Sequence, residues 1–323
     1  MEIKHIISEI KTKMDAAGGL KAVYFIACGG SQAAIYPGKY LLDHEAKNIG
    51  TKIYNSDEFL HAMPKSLDAR CVCIICSLKG TRETVDAVRA ANEKGAVTIA
   101  MTGFPNTPMA KNGQYVVVYS NGDDQLYSDS NQANVLRIGF EILHQFEAYP
   151  YYDQAIEAYE HIDKIIAKAK KDMLPAALDF AEKFKEDEIF YVLGSGSLYG
   201  TAYTMTSCHF MEMQGRHAVL MHSGEYFHGP FETTDQKVAM VLLMGSGATR
   251  ALDERALRFI KKYAGHYIII DVKETAIRSI DAHVAEFFDS VLMIPIERFF
   301  VAQLAEIRGK SMDERRYMWK VEY

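Results

Sequence analysis

The chain has 323 residues, a length that suggests two domains. Hydrophobic residues make up 49% and charged residues 24%, which excludes a disordered chain. A formal net charge of −6 gives no basic footprint for nucleic acid or for an anionic membrane surface.

The first residues, Met1-Glu2-Ile3-Lys4, lack a basic n-region followed by an apolar stretch, so no signal peptide is expected. The apolar runs are strand-length, too short for a bilayer span of about 20 residues. Strands are predicted at Val23–Ile26, Cys71–Cys76, Val97–Ala100 and Tyr115–Tyr119 in the first half. In the second half they are predicted at Ile189–Leu193, Ala218–Met221 and Val238–Leu243. Continuous branched runs of this kind fit buried parallel strands. Helical patterns lie between them, at 84–94 and 251–263, so an α/β fold with a parallel sheet is expected.

The chain repeats itself. Cys28-Gly29-Gly30-Ser31 aligns with Gly194-Ser195-Gly196-Ser197 at an offset of 166, and Cys76–Arg82 aligns with Met244–Arg250 at 168. Two versions of one α/β unit, residues 1–155 and 156–323, explain both. The charged helical stretch 153–185 would bridge them.

Two first-half turns, Gly29-Gly30-Ser31 and Ser77-Leu78-Lys79-Gly80-Thr81, follow predicted strands and open helices. Such turns offer free N–H groups, hydroxyls and a favourable helix dipole to an anion. Consecutive parallel strands put both at one carboxyl edge, so a phosphate site is expected at Gly30, Ser31, Ser77, Lys79 and Thr81. Neither a dinucleotide fingerprint nor a Walker-type loop is present.

The acid/base candidates lie in the second half. The segment Met221–Glu232 follows a strand and holds His222, Glu225, His228 and Glu232; His228 is the best placed to titrate near neutrality. Glu212 sits on an otherwise apolar helical turn, Phe210–Met213, where an unpaired carboxylate is costly. No metal is expected. The His222/Glu225/His228 spacing is not a zinc pattern, and Cys71-x-Cys73-x-x-Cys76 lies within one strand whose alternate residues face opposite ways. The cysteine usage fits a reducing cytoplasm. A serine hydrolase would need a Gly-x-Ser-x-Gly elbow, which is absent.

The duplicated unit, the two Gly/Ser turns and the segment Ser223-Gly224-Glu225-Tyr226-Phe227-His228-Gly229-Pro230 together resemble the sugar isomerase (SIS) family. Within it the chain is most similar to the fructosamine-6-phosphate deglycases and is related to the isomerase half of glucosamine-6-phosphate synthase. The ending Arg315–Tyr323 points the same way. The resemblance implies two tandem SIS domains, each a parallel sheet between helical layers as in flavodoxin. It implies Ser31, Ser77, Lys79 and Thr81 on the sugar phosphate, with Thr84 the alternative to Thr81 because the loop is one residue shorter than in the nearest deglycases, and Glu212 moving a proton between C1 and C2. His228 would assist ring opening, and Glu225 would belong to the same loop. It implies a homodimer or larger assembly with the active site at the interface, no cofactor, and cleavage of a fructosamine 6-phosphate. An aldose–ketose phosphosugar isomerase and a non-catalytic phosphosugar sensor are the alternatives. The polar segment 122–134 is a candidate wall for the amine pocket.

Overall fold

The computed structural model describes residues 2–120, 122, 124 and 126–322. It divides into two compact units, Met1–Glu160 and His161–Tyr323. The boundary falls inside the stretch expected to bridge them. That stretch forms three helices, Tyr152–Ala158, Ile162–Asp172 and Leu174–Phe184. The first belongs to the first unit, while the other two pack on the long helix Ala285–Ile307 of the second. They are layers of the units themselves, because their apolar sides (Ile162, Ile165 and Ile166; Ala177, Phe180 and Phe184) are buried.

The first unit holds a parallel sheet of β1 (Ala22–Ala27), β2 (Gly50–Tyr54), β3 (Cys71–Cys76), β4 (Val97–Thr102) and β5 (Tyr115–Val118). Their order is β2-β1-β3-β4-β5. β1, β3 and β4 are buried along their whole length, as strands covered by helices on both faces must be. The helices Gly29–Glu45 and Asn131–Glu147 pack together on this sheet. Gly38 lets them approach, since a Cβ there would lie 2.6 Å from a Val135 methyl. Arg82–Glu93 helps to cover another core, with Cys71, Cys73 and Ile75 facing it.

The second unit repeats the plan with β6 (Ile189–Gly194), β7 (His217–His222), β8 (Ala239–Met244) and β9 (Tyr267–Asp271), all parallel in the order β7-β6-β8-β9. No fifth strand follows among the described residues. The chain turns instead into Ala285–Ile307, whose Phe287, Phe288, Leu292, Ile296 and Phe300 are buried. No helix among the described residues is long and apolar enough to cross a membrane.

Two elements differ from expectation. β2 is an edge strand of alternating exposure, Gly-Thr-Lys-Ile-Tyr, with no continuous apolar run to announce it. The segment carrying Glu212 is a π-helix, Thr204–Met213, with the Gln214 N–H bonded to the His209 carbonyl five residues back. Helices of this type are rare and concentrate at functional sites.

Candidate functional site

In the first sheet the chain leaves β1 toward β2 on one side and returns to β3 on the other. The crevice between the carboxyl ends of β1 and β3 is therefore the switch point where open α/β sheets take ligands. Ala27 pairs with Cys76 there, and the two Gly/Ser turns flank the gap. Gly29 has φ +54, and a Cβ on it would meet nothing within 4 Å, so the backbone is open to a ligand. The thiol of Cys76, at the end of β3, is fully buried. Burial pushes that thiol up to about 12, so it is a neutral packing group.

The second turn is organised by Ser77. Its buried Oγ accepts from the N–H groups of Gly80 (3.1 Å) and Thr81 (3.3 Å). Gly80 has φ +85 and its missing Cβ would lie 3.0 Å from Met109, so only glycine closes this loop without strain. Thr81 caps the helix Arg82–Glu93. Of the two threonines, Thr84 is 1% exposed and bonded to Ser56 (3.0 Å) and Thr81 (3.1 Å), whereas Thr81 is exposed. Thr81 is thus the accessible one of the two threonines, and its hydroxyl donates to the carboxylate of Glu83. Lys79 is exposed and its ammonium has no partner among the described residues. Two helix N-termini, three hydroxyls and one free ammonium can hold a dianionic phosphate without a basic surface.

The second unit has the same crevice between β6 and β8, and there the chain fills it with its own carboxylates. The positive-φ glycines of the first turns are Gly29 and Gly196, so the structural offset is 167 rather than 166. Cys28 therefore corresponds to Ser195, the residue before the helical turn in each copy. The Ser195 hydroxyl donates to Asp253 (2.7 Å), and Asp253 also accepts from the Gly245 N–H (3.2 Å). Asp289 accepts from the N–H (2.7 Å) and hydroxyl (2.6 Å) of Ser246, and Glu286 from the N–H of Ala248 (3.3 Å). Desolvation pushes the Asp289 carboxyl up to about 7 and raises that of Asp253.

Glu212 and His228 are not brought together within one unit. The π-helix carrying Glu212 packs on one face of the second sheet, where Phe210 stacks on Phe190 at 4.1 Å. It ends at the amino edge, with Arg216 N–H on Phe210 O and His217 N–H on Glu188 O. The loop carrying His228 leaves the carboxyl edge and packs on the other face. Its Tyr226 is fully buried beside Met221, Leu242, Ala256 and Ile260. The six residues of β7, ~20 Å of strand, separate the two edges. His228 and Glu225 are exposed, and neither side chain has a partner among the described residues. Gly229, at φ +126, turns the chain away after His228. Glu212 is part-buried, and its Oε1 accepts from Arg315 Nε at 2.7 Å. Arg315 was legible only as part of the tail motif; nothing in the spacing pairs it with Glu212.

In the segment 122–134, residues 123 and 125 lie outside the described residues. Beyond them, Ser130 caps Asn131–Glu147 through the Ala133 N–H (3.2 Å). Tyr323 also lies outside the described residues. Among the described residues no group of three or more His, Cys, Asp or Glu is placed to hold a metal ion. A groove of about 490 Å³ in the first unit is lined by Lys4, Arg137, Glu141 and Tyr152 and touches none of these site residues.

The SIS domain family matches residues 20–135, the stretch that holds the open crevice. Over its whole length the chain is 38% identical to Fructosamine deglycase FrlB of Bacillus subtilis (strain 168), spanning 100% of this chain and 97% of that protein. This chain belongs to the SIS family. It is also 26% identical over 328 residues to Fructoselysine 6-phosphate deglycase of Escherichia coli (strain K12), covering 97% of this chain and 88% of the relative. A crystal structure from Bacillus subtilis superposes with a TM-score of 0.95 at 38% identity, covering 99% of this chain and 97% of that one. The C-terminal domain of glucosamine-fructose-6-phosphate aminotransferase from Francisella tularensis, at 17% identity and TM-score 0.78, shares the SIS fold.

Proposed function

We propose that this SIS protein is an enzyme that cleaves a fructosamine 6-phosphate to glucose 6-phosphate and a free amine. The observation that carries the reading is the open cradle at the β1/β3 switch point, with Lys79, unpaired among the described residues, beside it. The full-length likeness to a fructosamine deglycase supports the choice of substrate.

In such a substrate C1 bears the amine, and C2 becomes a ketone when the ring opens. The ketone acidifies the C1 protons, so the reaction needs only an acid and a base. The cradle binds the phosphate, and that binding energy is available to orient the sugar for reaction. His228 assists ring opening. Glu212 takes a proton from C1, giving an enaminol, and a proton is returned to C2. The imine now at C1 adds water, the C1–N bond breaks, and the amine leaves with a proton. Glu225 shares the loop of His228 and is assigned there to polar contacts with the sugar.

Because Glu212 and His228 lie on opposite faces of one sheet, we assign the complete site to two copies of the chain, one giving Glu212 and the other His228. The assay is release of glucose 6-phosphate from fructose-asparagine, fructoselysine and glucoselysine 6-phosphates. No release from any of them overturns the deglycase reading. Glu212→Gln and His228→Asn are each expected to abolish turnover. Mixing the two inactive variants then tests the shared site. Random reassortment into dimers restores about a quarter of the activity if each site draws on both chains, and none if one chain supplies both groups.

A further inference from the structure

The C-terminal tail reaches back to the π-helix that carries Glu212. Gln214, just past that helix, donates to Lys310 O (3.2 Å) and accepts from Arg308 Nη1 (3.0 Å). From this anchored base the chain continues to Arg315, which is 8% exposed although it is an arginine near a chain end. Its donors are divided between two tasks. Nη1 bonds two carbonyls of its own tail, Met312 O at 2.8 Å and Glu314 O at 3.1 Å. Nε bonds Glu212 Oε1 at 2.7 Å. The indole of Trp319 lies over the guanidinium, 5.6 Å from its carbon. The tail therefore fixes the guanidinium first, and the guanidinium fixes the carboxylate.

A base that must reach two adjacent carbons needs one oxygen held and the other free. Glu212 Oε1 is committed to Arg315, and Oε2 has no partner among the described residues. The surroundings explain why an arginine is required. Cys208 lies in the field of both Glu212 and Glu297, and burial pushes its thiol up to about 12. Glu297 is fully buried, shares a hydrogen bond with His209 (2.8 Å), and leaves its Oε1 without a partner. Arg298 is spent on His209 and Met213. Arg315 is the cation bonded to Glu212 among the described residues, and its removal leaves both carboxylate oxygens without a partner there.

We propose that Arg315 is a positioning residue for Glu212, holding one carboxylate oxygen so that the other addresses C1 and C2 of the substrate. The C-terminal tail thereby becomes part of the acid/base machinery rather than a cover for it. This inference rests on Glu212 being the base, and its test separates the two claims. Arg315→Gln and Arg315→Lys are compared with the unaltered protein and with Glu212→Gln. Three quantities are followed: kcat and KM on the best fructosamine 6-phosphate, exchange of the C1 proton with deuterated solvent, and binding of inorganic phosphate.

Arg315→Gln is expected to lower kcat and C1 exchange together by about 10²-fold, the cost of a carboxylate displaced by about 1 Å. KM and phosphate binding should stay within about threefold, because the cradle is untouched. Arg315→Lys keeps a charge and one donor but not the fork, so it should recover part of the exchange rate. It also serves as the folded control should Arg315→Gln lose its thermal transition. If both variants keep kcat within about threefold while Glu212→Gln is inactive, the positioning role is wrong. If Glu212→Gln itself turns over, the assignment of the base is wrong and Arg315 falls with it.

Discussion

The first-unit crevice, between β1 and β3, and the second-unit crevice, between β6 and β8, are built on one plan and differ in the carboxylates that the chain itself supplies to them. Helix caps coincide at an offset of 168: Thr81 before Arg82–Glu93 and Thr249 before Arg250–Tyr263. At the same offset Ser77 becomes Gly245, Lys79 becomes Gly247, and the buried Val85 becomes the buried Asp253. Arg82 has a 95% exposed side chain, whereas Arg250 is clamped on both oxygens of Asp271 (2.8 and 2.6 Å). In the second copy Asp253, Asp289 and Glu286 accept from the N–H groups of Gly245, Ser246 and Ala248, just ahead of the helix, whereas in the first copy the Gly80 N–H goes to the Ser77 hydroxyl. A helix N-terminus needs an anion or an oxygen partner in either case. What differs is whether a carboxylate or a hydroxyl is that partner. Under the proposed function it is the other parts of the second copy, the π-helix and the loop after β7, that carry Glu212 and His228.

The largest effect should come from imposing the second copy's charge on the first. Lys79→Glu puts a carboxylate where the free ammonium stands. It should raise KM for any phosphosugar, and the Kd for inorganic phosphate measured by calorimetry, by at least about 10²-fold, or about 2.7 kcal/mol. The reverse change, Gly247→Lys, should create no phosphate affinity, because three carboxylates already hold that crevice. Unchanged phosphate binding in Lys79→Glu would show that the cradle is elsewhere.

Next in size is a steric contrast. A Cβ at Gly247 would lie 2.0 Å from Glu286 Oε2 and 2.6 Å from its Cβ, so Gly247→Ala must displace the carboxylate that fills the cradle. Overpacking of this kind costs about 1–3 kcal/mol, read as a lowered Tm. Gly29→Ala meets no neighbour and carries only the strain of a positive φ, about 1 kcal/mol. Equal losses in the two variants would mean that the first crevice is as closed as the second.

A third difference is visible in pH. Asp289 is 1% exposed and its carboxyl is pushed up to about 7, while in the unfolded chain it titrates near 4. Between those values the folded protein keeps a proton that the unfolded chain has released. Its contribution to stability is complete below about pH 4 and is lost as pH rises through about 7. Asp289→Asn does not titrate, and it can still accept from the Ser246 N–H while its amide donates to the Ser246 hydroxyl. Its Tm should match that of the unaltered protein near pH 4.5 and exceed it by about a few degrees near pH 8. A constant Tm difference across that range would mean that Asp289 is ionised in the fold throughout.

Much of this contrast was present in the sequence, and what was missed had physical reasons. Cys71–Cys76 reads as a buried strand because every residue is apolar, and β3 has those bounds. The cradle residues were legible because Gly, Ser and Thr at a strand end leave few other uses. β2 was hidden because an edge strand needs only one apolar side. The π-helix was hidden because composition does not separate i→i+5 from i→i+4 bonding. Asp253 could have been found: carrying the 168 offset four residues past Thr249 sets an aspartate against Val85, and a carboxylate on a core position demands a partner. Asp289 and Glu286 could not, because they come from Ala285–Ile307, which has no aligned counterpart in the first copy. The separation of Glu212 from His228 follows from sheet topology, which a motif spacing of 16 residues does not encode.

The smallest predicted effect concerns a carboxylate beside the open cradle, Glu83. Glu83 lies in the first turn of Arg82–Glu93, where a negative side chain is favoured by the dipole, and it accepts a hydrogen bond from the Thr81 hydroxyl. When phosphate arrives, Thr81 must turn from Glu83 to the ligand, and two anions then share one helix N-terminus. In Glu83→Gln the competing charge is gone, while the amide can still accept from Thr81 before the ligand binds. Phosphate affinity should improve by about two- to fivefold, consistent with a dipole and charge contribution of about 0.3–1 kcal/mol, and the gain should shrink as salt is raised. A loss of affinity instead would mean that Glu83 orients Thr81 for the phosphate. The carboxylate of the first copy would then be a working part of the cradle, and the two crevices would differ in what their carboxylates hold rather than in whether they have them.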